Sequence, residues 1–306
     1  MQRILVTGGS GFIGRHLLRR LAARGAHLTV LSRDPRRTAA KLGPAVTVIG
    51  SLDALPDDTA VDAIVNLAGA PIFGPPWTAA RRRLLRASRL QTTEAVVALC
   101  GRLKQRPQVF VSASAIGYYG IDDRGSDDAP AARESDPPQS IFQSQICQDW
   151  ETAALGAEAL GLRVVRLRLG IVLGADGGAL PPLALPVKLG VGAILGDGKQ
   201  GMPWLHVEDA VGIIEYALDN ASLTGAVNAV APENTTHADF QRTLGRVLHR
   251  PIWLRVPALP LRAMLGEMAQ LFVDGRHVDA GKLLAAGYRF RHPQLEEALR
   301  SGLKGP

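Results

Sequence analysis

The amino-terminal stretch constrains the fold more than any other part of the chain. Residues 4–6 are Ile-Leu-Val, a short apolar run that reads as a buried strand. Thr7 then opens the pattern Thr-Gly-x-x-Gly-x-x-Gly, with Gly8, Gly11 and Gly14 at its glycines and Gly9, Ser10, Phe12 and Ile13 between them. From Phe12 the apolar residues Phe12, Ile13, Leu17, Leu18 and Leu21 fall at helical spacing, and Gly25 suits the helix stop. The glycines therefore stand between a strand and a helix. A diphosphate binds there by touching backbone N–H groups at the positive end of the helix dipole. A Cβ at Gly11 would hold the chain off such a ligand, and Gly14 lets helix and strand pack closely. The alternative is a bare tight turn.

With 306 residues the chain is long enough for a large core. Its 46% hydrophobic and 21% charged residues fit an ordinary globular protein. Two cysteines, Cys100 and Cys147, exclude a disulfide scaffold and match no metal-binding spacing. The most apolar region, residues 167–195, is broken by Arg168, Asp176, Lys188 and several glycines and prolines, so it does not span a membrane. The chain enters a strand at once, with no secretory signal, and a cytoplasmic location is expected. The net charge of +7 is scattered. Its densest clusters, Arg36-Arg37 and Arg81-Arg82-Arg83, lack interleaved aromatics, which argues against nucleic acid and makes the second a solvated helix face.

Strands at residues 27–31, 46–49, 62–69, 108–112 and 163–173 alternate with helical patterns, including residues 77–103 and 141–160. This alternation predicts an α/β fold: a Rossmann-type doubly wound parallel sheet with a smaller mixed α/β C-terminal substrate domain. Residues 1–174 form the dinucleotide domain, with 204–230 returning to it. Residues 175–203 and 231–306 form the smaller domain. Residues 120–140 are polar and rich in Asp and Pro, and are expected to be a loop or lid.

The strand ends carry the chemistry. After residue 31 come Ser32 and Arg33, where an acidic residue would favour NAD; Ser and Arg suit a 2′-phosphate instead. Asp34, one residue on, would repel that phosphate, so an ordinary charged loop stays open as an alternative. Leu67, Ala68 and Gly69 end a strand in residues that let a cofactor lie against backbone. Ser112, Ser114, Tyr118 and Tyr119 follow the fifth strand, where Ser112 would meet the cofactor and the other three are the candidate catalytic groups. Gln200, Trp204 and His206 would line a substrate pocket, and His206 with Asp209 is either an acid/base pair or a structural tie.

These stretches together resemble the extended short-chain dehydrogenase/reductase superfamily. The resemblance is closest to an epimerase-like subfamily of NAD-dependent epimerase/dehydratase homologues with a C-terminal domain of unknown function. It is carried by residues 7–14, Asn66-Leu67-Ala68-Gly69-Ala70-Pro71-Ile72, residues 112–120, Cys147-Gln148-Asp149-Trp150-Glu151, Gly196-Asp197-Gly198-Lys199-Gln200, Leu205-His206-Val207-Glu208-Asp209 and residues 283–290. It implies an NADP(H) cofactor and chemistry by a Ser, a Tyr and a Lys four residues after the Tyr. Ser114 matches the Ser. Gln143 stands where the Tyr should be and Cys147 where the Lys should be. Gln143 cannot exchange a proton at useful pH, and a neutral Cys147 offers no positive field. Two functions follow: an NADP(H)-dependent epimerase, dehydratase or reductase acting on an unknown small molecule, or a non-catalytic NADP(H)-binding sensor or scaffold. No metal, nucleic-acid or membrane partner is expected, and the chain is read as a monomer or homodimer.

Overall fold

The computed structural model describes residues 2–121 and 130–304, so residues 122–129 of the polar loop lie outside the description. The chain opens with β1 (Arg3–Thr7), α1 (Phe12–Ala23), β2 (His27–Leu31), α2 (Pro35–Leu42) and β3 (Val46–Ile49). Then follow β4 (Ala63–Asn66), α3 (Ala79–Arg102), β5 (Val109–Ala115), α4 (Phe142–Leu155) and β6 (Arg163–Leu169). These six strands and β11 (Gly225–Ala229) form one seven-stranded sheet in the order β11-β6-β5-β4-β1-β2-β3. Every pairing in it is parallel. The winding direction reverses between β1 and β4, which leaves a crevice at the carboxyl edge where ligands bind in such sheets.

Both faces of the sheet are covered, and the two-residue period of each strand decides which face a side chain meets. Ile4 and Val6 of β1, Val111 of β5 and Leu167 of β6 pack with Leu17 and Leu21 of α1. Ile213 and Ile214 of α6 (Val207–Asp219) complete that layer. The intervening Leu5, Ile64, Phe110 and Val164 pack on the other side with Val96, Leu99 and Cys100 of α3. Burying one such aliphatic side chain stabilises by about 1.5–3 kcal/mol.

The stretch read as one strand over residues 163–173 is two. It breaks at Gly170, whose N–H donates to the Ala229 carbonyl while the next N–H, of Ile171, donates to Pro203. A Cβ on Gly170 would come within 2.9 Å of the Pro203 oxygen, so the crossing needs glycine. Beyond it, β7 (Ile171–Gly174) joins β8 (Gly177–Gly178) and β10 (Trp204–His206) in a separate three-stranded sheet. Apolar content could not show the change of sheet, because both halves are buried strand.

The remaining elements are α5 (Leu180–Lys188), β9 (Ala193–Leu195), α7 (His237–Leu248) and β12 (Leu254–Val256), the last pairing with β9. The short helices α8 (Ala258–Leu265), α9 (Gln270–Val273) and α10 (Gly281–Ala285) lead to α11 (Leu295–Lys304). This part has its own core, in which Trp204, Phe240, Leu244, Leu295 and Leu299 are buried together. Among the described residues no helix is long and apolar enough to cross a membrane.

Candidate functional site

The turn after β1 sits at the crevice. Gly8 has a φ of +69°, and a Cβ there would lie 2.6 Å from the backbone of Leu67 at the end of β4. The ends of β1 and β4 therefore touch through backbone alone. A Cβ on Gly14 would overlap the Gly8 carbonyl oxygen and come within 2.7 Å of Gly9 Cα, which is the close helix-to-turn packing that the spacing implied. Gly11 caps α1 with no side chain over the first turn, which leaves the N–H groups of that turn to an anion. The Phe12 ring is seated on Gly174, Gly177 and Gly178, where a Cβ would come within 2.6 Å of a ring carbon, too close for contact. The Phe12 ring thus anchors the start of α1 to the β7–β8 hairpin.

Past β2, Arg33 is exposed. Asp34 is turned into α2, where its carboxylate accepts from the Arg37 N–H at 3.0 Å and caps the helix. Ser32 Oγ lies 2.7 Å from the Thr38 hydroxyl. The carboxylate that threatened a 2′-phosphate is thus engaged by the helix end, and Arg33 keeps its guanidinium outward.

Beneath the crevice lies a buried polar chain that sequence reasoning missed. Thr7 donates to Asn66 Oδ1 at 2.5 Å, and Asn66 Nδ2 donates to Thr93 at 2.8 Å and to Ser112 at 3.3 Å. Trp150 Nε1 also donates to Thr93, at 3.0 Å. Asn66 therefore ties the ends of β1, β4 and β5 to α3, and Ser112 is 1% exposed within this chain. Its signal in the sequence was a lone Asn ending an apolar strand.

A second buried network sits under the candidate catalytic residues. Glu151 of α4 accepts from Ser114 at 2.7 Å, from Arg168 at 2.8 and 3.0 Å, and from Arg166 at 3.1 Å. Arg168 also donates to the Tyr119 hydroxyl at 2.9 Å, and that hydroxyl donates to Asn228 Oδ1. Burial pulls the Arg168 guanidinium down, but the Glu151 carboxylate more than restores it, leaving it above its ordinary value. Tyr119 is fully buried, and burial pushes its phenol up to about 12 despite Arg168. With donor and acceptor both used, Tyr119 is a core strut rather than an acid/base group. The Ser114 hydroxyl is likewise engaged, donating its hydrogen bond to Glu151. Tyr118 differs: it is half-buried, and the Arg168 guanidinium lies 3.4 Å from its ring centroid. Such a cation on the ring face fixes the ring plane.

Gln143 and Cys147 lie one turn apart on α4, against the Gly117 backbone and hence beside the Tyr118 segment. Both are buried. Burial drives the Cys147 thiol up to about 12, with Arg89 opposing, so the thiol stays neutral as the sequence implied.

Four expectations are corrected. Trp204 is fully buried in the C-terminal core and donates to Thr235 at 3.0 Å, so it does not line a pocket. His206 is the cap of α6, its Nδ1 accepting from the Glu208 N–H at 3.3 Å, with its ring 3.9 Å from that of His292. Burial and His292 lower it to about 4, so it is neutral near pH 7. Asp209 instead accepts from Tyr288 and from the N–H groups of Arg291 and His292. The pair is the structural tie. His206, Glu208 and His292 do bring one ligand atom each within 4.8 Å, but Nδ1 as acceptor leaves the proton on Nε2, which cannot then ligate a metal. Gln200 donates to Leu195 at 3.1 Å and Phe272 at 2.8 Å, binding its loop to α9, while its Oε1 is buried without a partner. Lastly, Arg81 and Arg82 are not a solvated face. Arg81 donates to the Pro71 carbonyl and Arg82 to Trp77, and Arg82 also stacks on Phe142 and pairs with Glu267 at 2.9 Å.

A parallel sheet with this strand order, a glycine turn at its switch point and an open helix N-terminus defines a Rossmann-type nucleotide-binding protein. Residues 4–229 match the NAD dependent epimerase/dehydratase family, and residues 256–301 match a domain of unknown function, DUF1731. The chain belongs to that epimerase/dehydratase family. It is 38% identical to the epimerase family protein YfhF of Bacillus subtilis over 97% of this chain and 96% of that one. It is 37% identical to the epimerase family protein SDR39U1 of Bos taurus over 97% and 98% of the two chains. A crystal structure of human SDR39U1 (isoform 2) with NADPH superposes with a TM-score of 0.86 at 33% identity, covering 99% of each chain. UDP-glucuronic acid 4-epimerase from Bacillus cereus, in complex with UDP-glucuronic acid and NAD, shares the fold with a TM-score of 0.77 at 17% identity over 99% and 98%.

Proposed function

We propose that this chain binds NADP(H) across the carboxyl edge of its sheet and acts on a small, nucleotide-sugar-like molecule as an oxidoreductase or epimerase. The observation that carries the cofactor reading is the Gly8–Gly14 turn, closed on Leu67 and open at the start of α1. The exposed Arg33, with Asp34 drawn into the α2 cap, supports the 2′-phosphate over a free ribose hydroxyl. The human relative crystallised with NADPH supports it too. Tyr118 is the group left for proton transfer, since Tyr119 and Ser114 are held by the buried network. The two free cysteines support a reducing, cytoplasmic setting. The scattered positive charge supports a protein that works without nucleic acid.

A second reading is favoured by α4. With Gln143 and a neutral Cys147 in place of Tyr and Lys, the chain would bind NADP(H) and signal its presence without turnover.

Calorimetric titration of Arg33→Ala tests the cofactor reading. One charge-assisted hydrogen bond contributes about 1.5–3 kcal/mol. The variant should therefore bind NADPH roughly 10–100-fold more weakly and NADH almost unchanged. Equal losses for the two cofactors would show that Arg33 does not read the phosphate.

A further inference from the structure

Four large apolar side chains of the C-terminal part stand out in solvent on one surface. Leu185, Leu189, Val191 and Trp253 are 56%, 70%, 52% and 68% exposed. The pairing of β9 with β12 sets Ala193 beside Leu254, so Val191 and Trp253 approach the pair from the same end. Leu185 and Leu189 are one turn apart at the end of α5, with the Leu189 N–H donating to the Leu185 carbonyl at 3.1 Å. A Cβ on Gly192 would come within 2.6 Å of Ile252 and 2.9 Å of Val187, so the last turn of α5 touches the approach to β12. Along β12, Leu254 and Val256 are half-buried while Trp253 and Arg255 alternate outward.

The charge around these side chains has one sign. Residues 180–196 hold Lys188 and no acid; residues 240–257 hold Arg242, Arg246, His249, Arg250 and Arg255 and no acid. Arg242, Arg246, His249 and Arg250 line a cleft of about 590 Å³ together with Pro251 and Ile252. Asp239 and Glu296 approach Arg242 and Arg246 only to 3.7 and 3.6 Å, and such exposed pairs hold loosely. Lys188, Arg250 and Arg255 meet no carboxylate among the described residues.

These observations select the occupant. A second copy seated on the same face would set Lys188, Arg250 and Arg255 against themselves. The partner must be anionic and must also take up projecting apolar side chains. An anionic bilayer does both: Trp settles at headgroup level, aliphatic side chains reach the acyl boundary, and Lys and Arg meet lipid phosphates.

We propose that this face docks on an anionic lipid bilayer, with Trp253, Leu189 and Val191 inserting and Lys188, Arg250, Arg255 and the cleft meeting headgroup phosphates. The expectation of no membrane partner came from the lack of a spanning segment, and a surface that lies on a bilayer needs none.

Co-sedimentation with vesicles tests this. Wild-type protein should pellet with vesicles of phosphatidylcholine and phosphatidylglycerol in about equal amounts. It should stay in solution with pure phosphatidylcholine and should detach as salt rises. Trp77, Trp150 and Trp204 are buried, so a blue shift of tryptophan emission on the anionic vesicles reports Trp253. Trp253→Ala should lose that shift and bind about tenfold more weakly. Lys188→Glu with Arg255→Glu should weaken binding on the order of 100-fold or more. All three side chains are exposed, so the variants should keep the wild-type circular dichroism spectrum, and Leu189→Ser carries the insertion test if Trp253→Ala does not fold. No pelleting of wild-type protein at low salt, equal pelleting with pure phosphatidylcholine, or a Trp253→Ala variant as tight as wild type would each overturn the proposal. So would capture of polyglutamate without vesicle binding, which would assign the face to an acidic protein segment. Loss of vesicle binding to inorganic phosphate at constant ionic strength would assign the cleft to a free anion and overturn it as well.

Discussion

Glu151→Ala should lower the unfolding free energy by about 3–5 kcal/mol, the cost of removing one partner from a buried ion pair. The Glu151 and Arg168 side chains are 4% and 3% exposed. Losing the carboxylate leaves Arg168 charged in the core with Arg166 beside it, and leaves Ser114 without its acceptor. The penalty comes mostly from the stranded charge, not from the lost attraction. Replacing both partners, as in Glu151→Leu with Arg168→Met, should therefore recover part of the loss. Denaturant titration followed by circular dichroism measures both. A single-variant cost below about 1 kcal/mol would mean that water reaches Arg168 and that the network is not buried as described. The variant also bears on the site, because Arg168 fixes the Tyr118 ring.

Gly14→Val should abolish useful cofactor binding. The three atoms nearest its Cβ are all backbone: the Gly8 carbonyl oxygen, Gly9 Cα and Gly9 oxygen. Nothing there can rotate away, so α1 must move off the turn. Overpacking of this kind costs about 1–3 kcal/mol in stability. The N–H groups at the start of α1 move with it, and NADPH affinity should fall on the order of 100-fold or more. Gly101→Ala is the control. Its Cβ would meet only Leu160, at 3.8 Å, and binding should not change. NADPH affinity within twofold of wild type in a folded Gly14→Val protein would show that the turn does not grip the diphosphate.

The local half of this protein was legible in its sequence. The edges of β2 and β3 fall at residues 27–31 and 46–49 as the apolar pattern required, and α1 starts at Phe12. The departure of α4 from Tyr-x-x-x-Lys was equally plain, since residue identity alone decides it. What stayed hidden depends on chain segments far apart in sequence. Trp204 follows a polar, glycine-rich loop and looked available to a ligand, but β10 carries it under α7 and α11. Tyr118 and Tyr119 are neighbours with identical chemistry, and only the arrival of Arg168 and Asn228 separates the half-buried one from the strut. Arg166 and Arg168 stand at alternate positions of β6, and nothing local named their partner, Glu151. The Arg81–Arg82 pair likewise turned inward because the loop after β4 folds back onto α3 and offers the Pro71 carbonyl.

The central claim is that the phosphate grip survives the loss of the usual catalytic pair, because Gly8, Gly11, the start of α1 and Arg33 supply it independently of Gln143 and Cys147. Calorimetric titration of NADPH and NADH into the wild-type protein measures this most directly. The account predicts one site per chain, with NADPH bound at least about tenfold tighter than NADH. Equal affinity for the two, or no heat of binding for either, would contradict it.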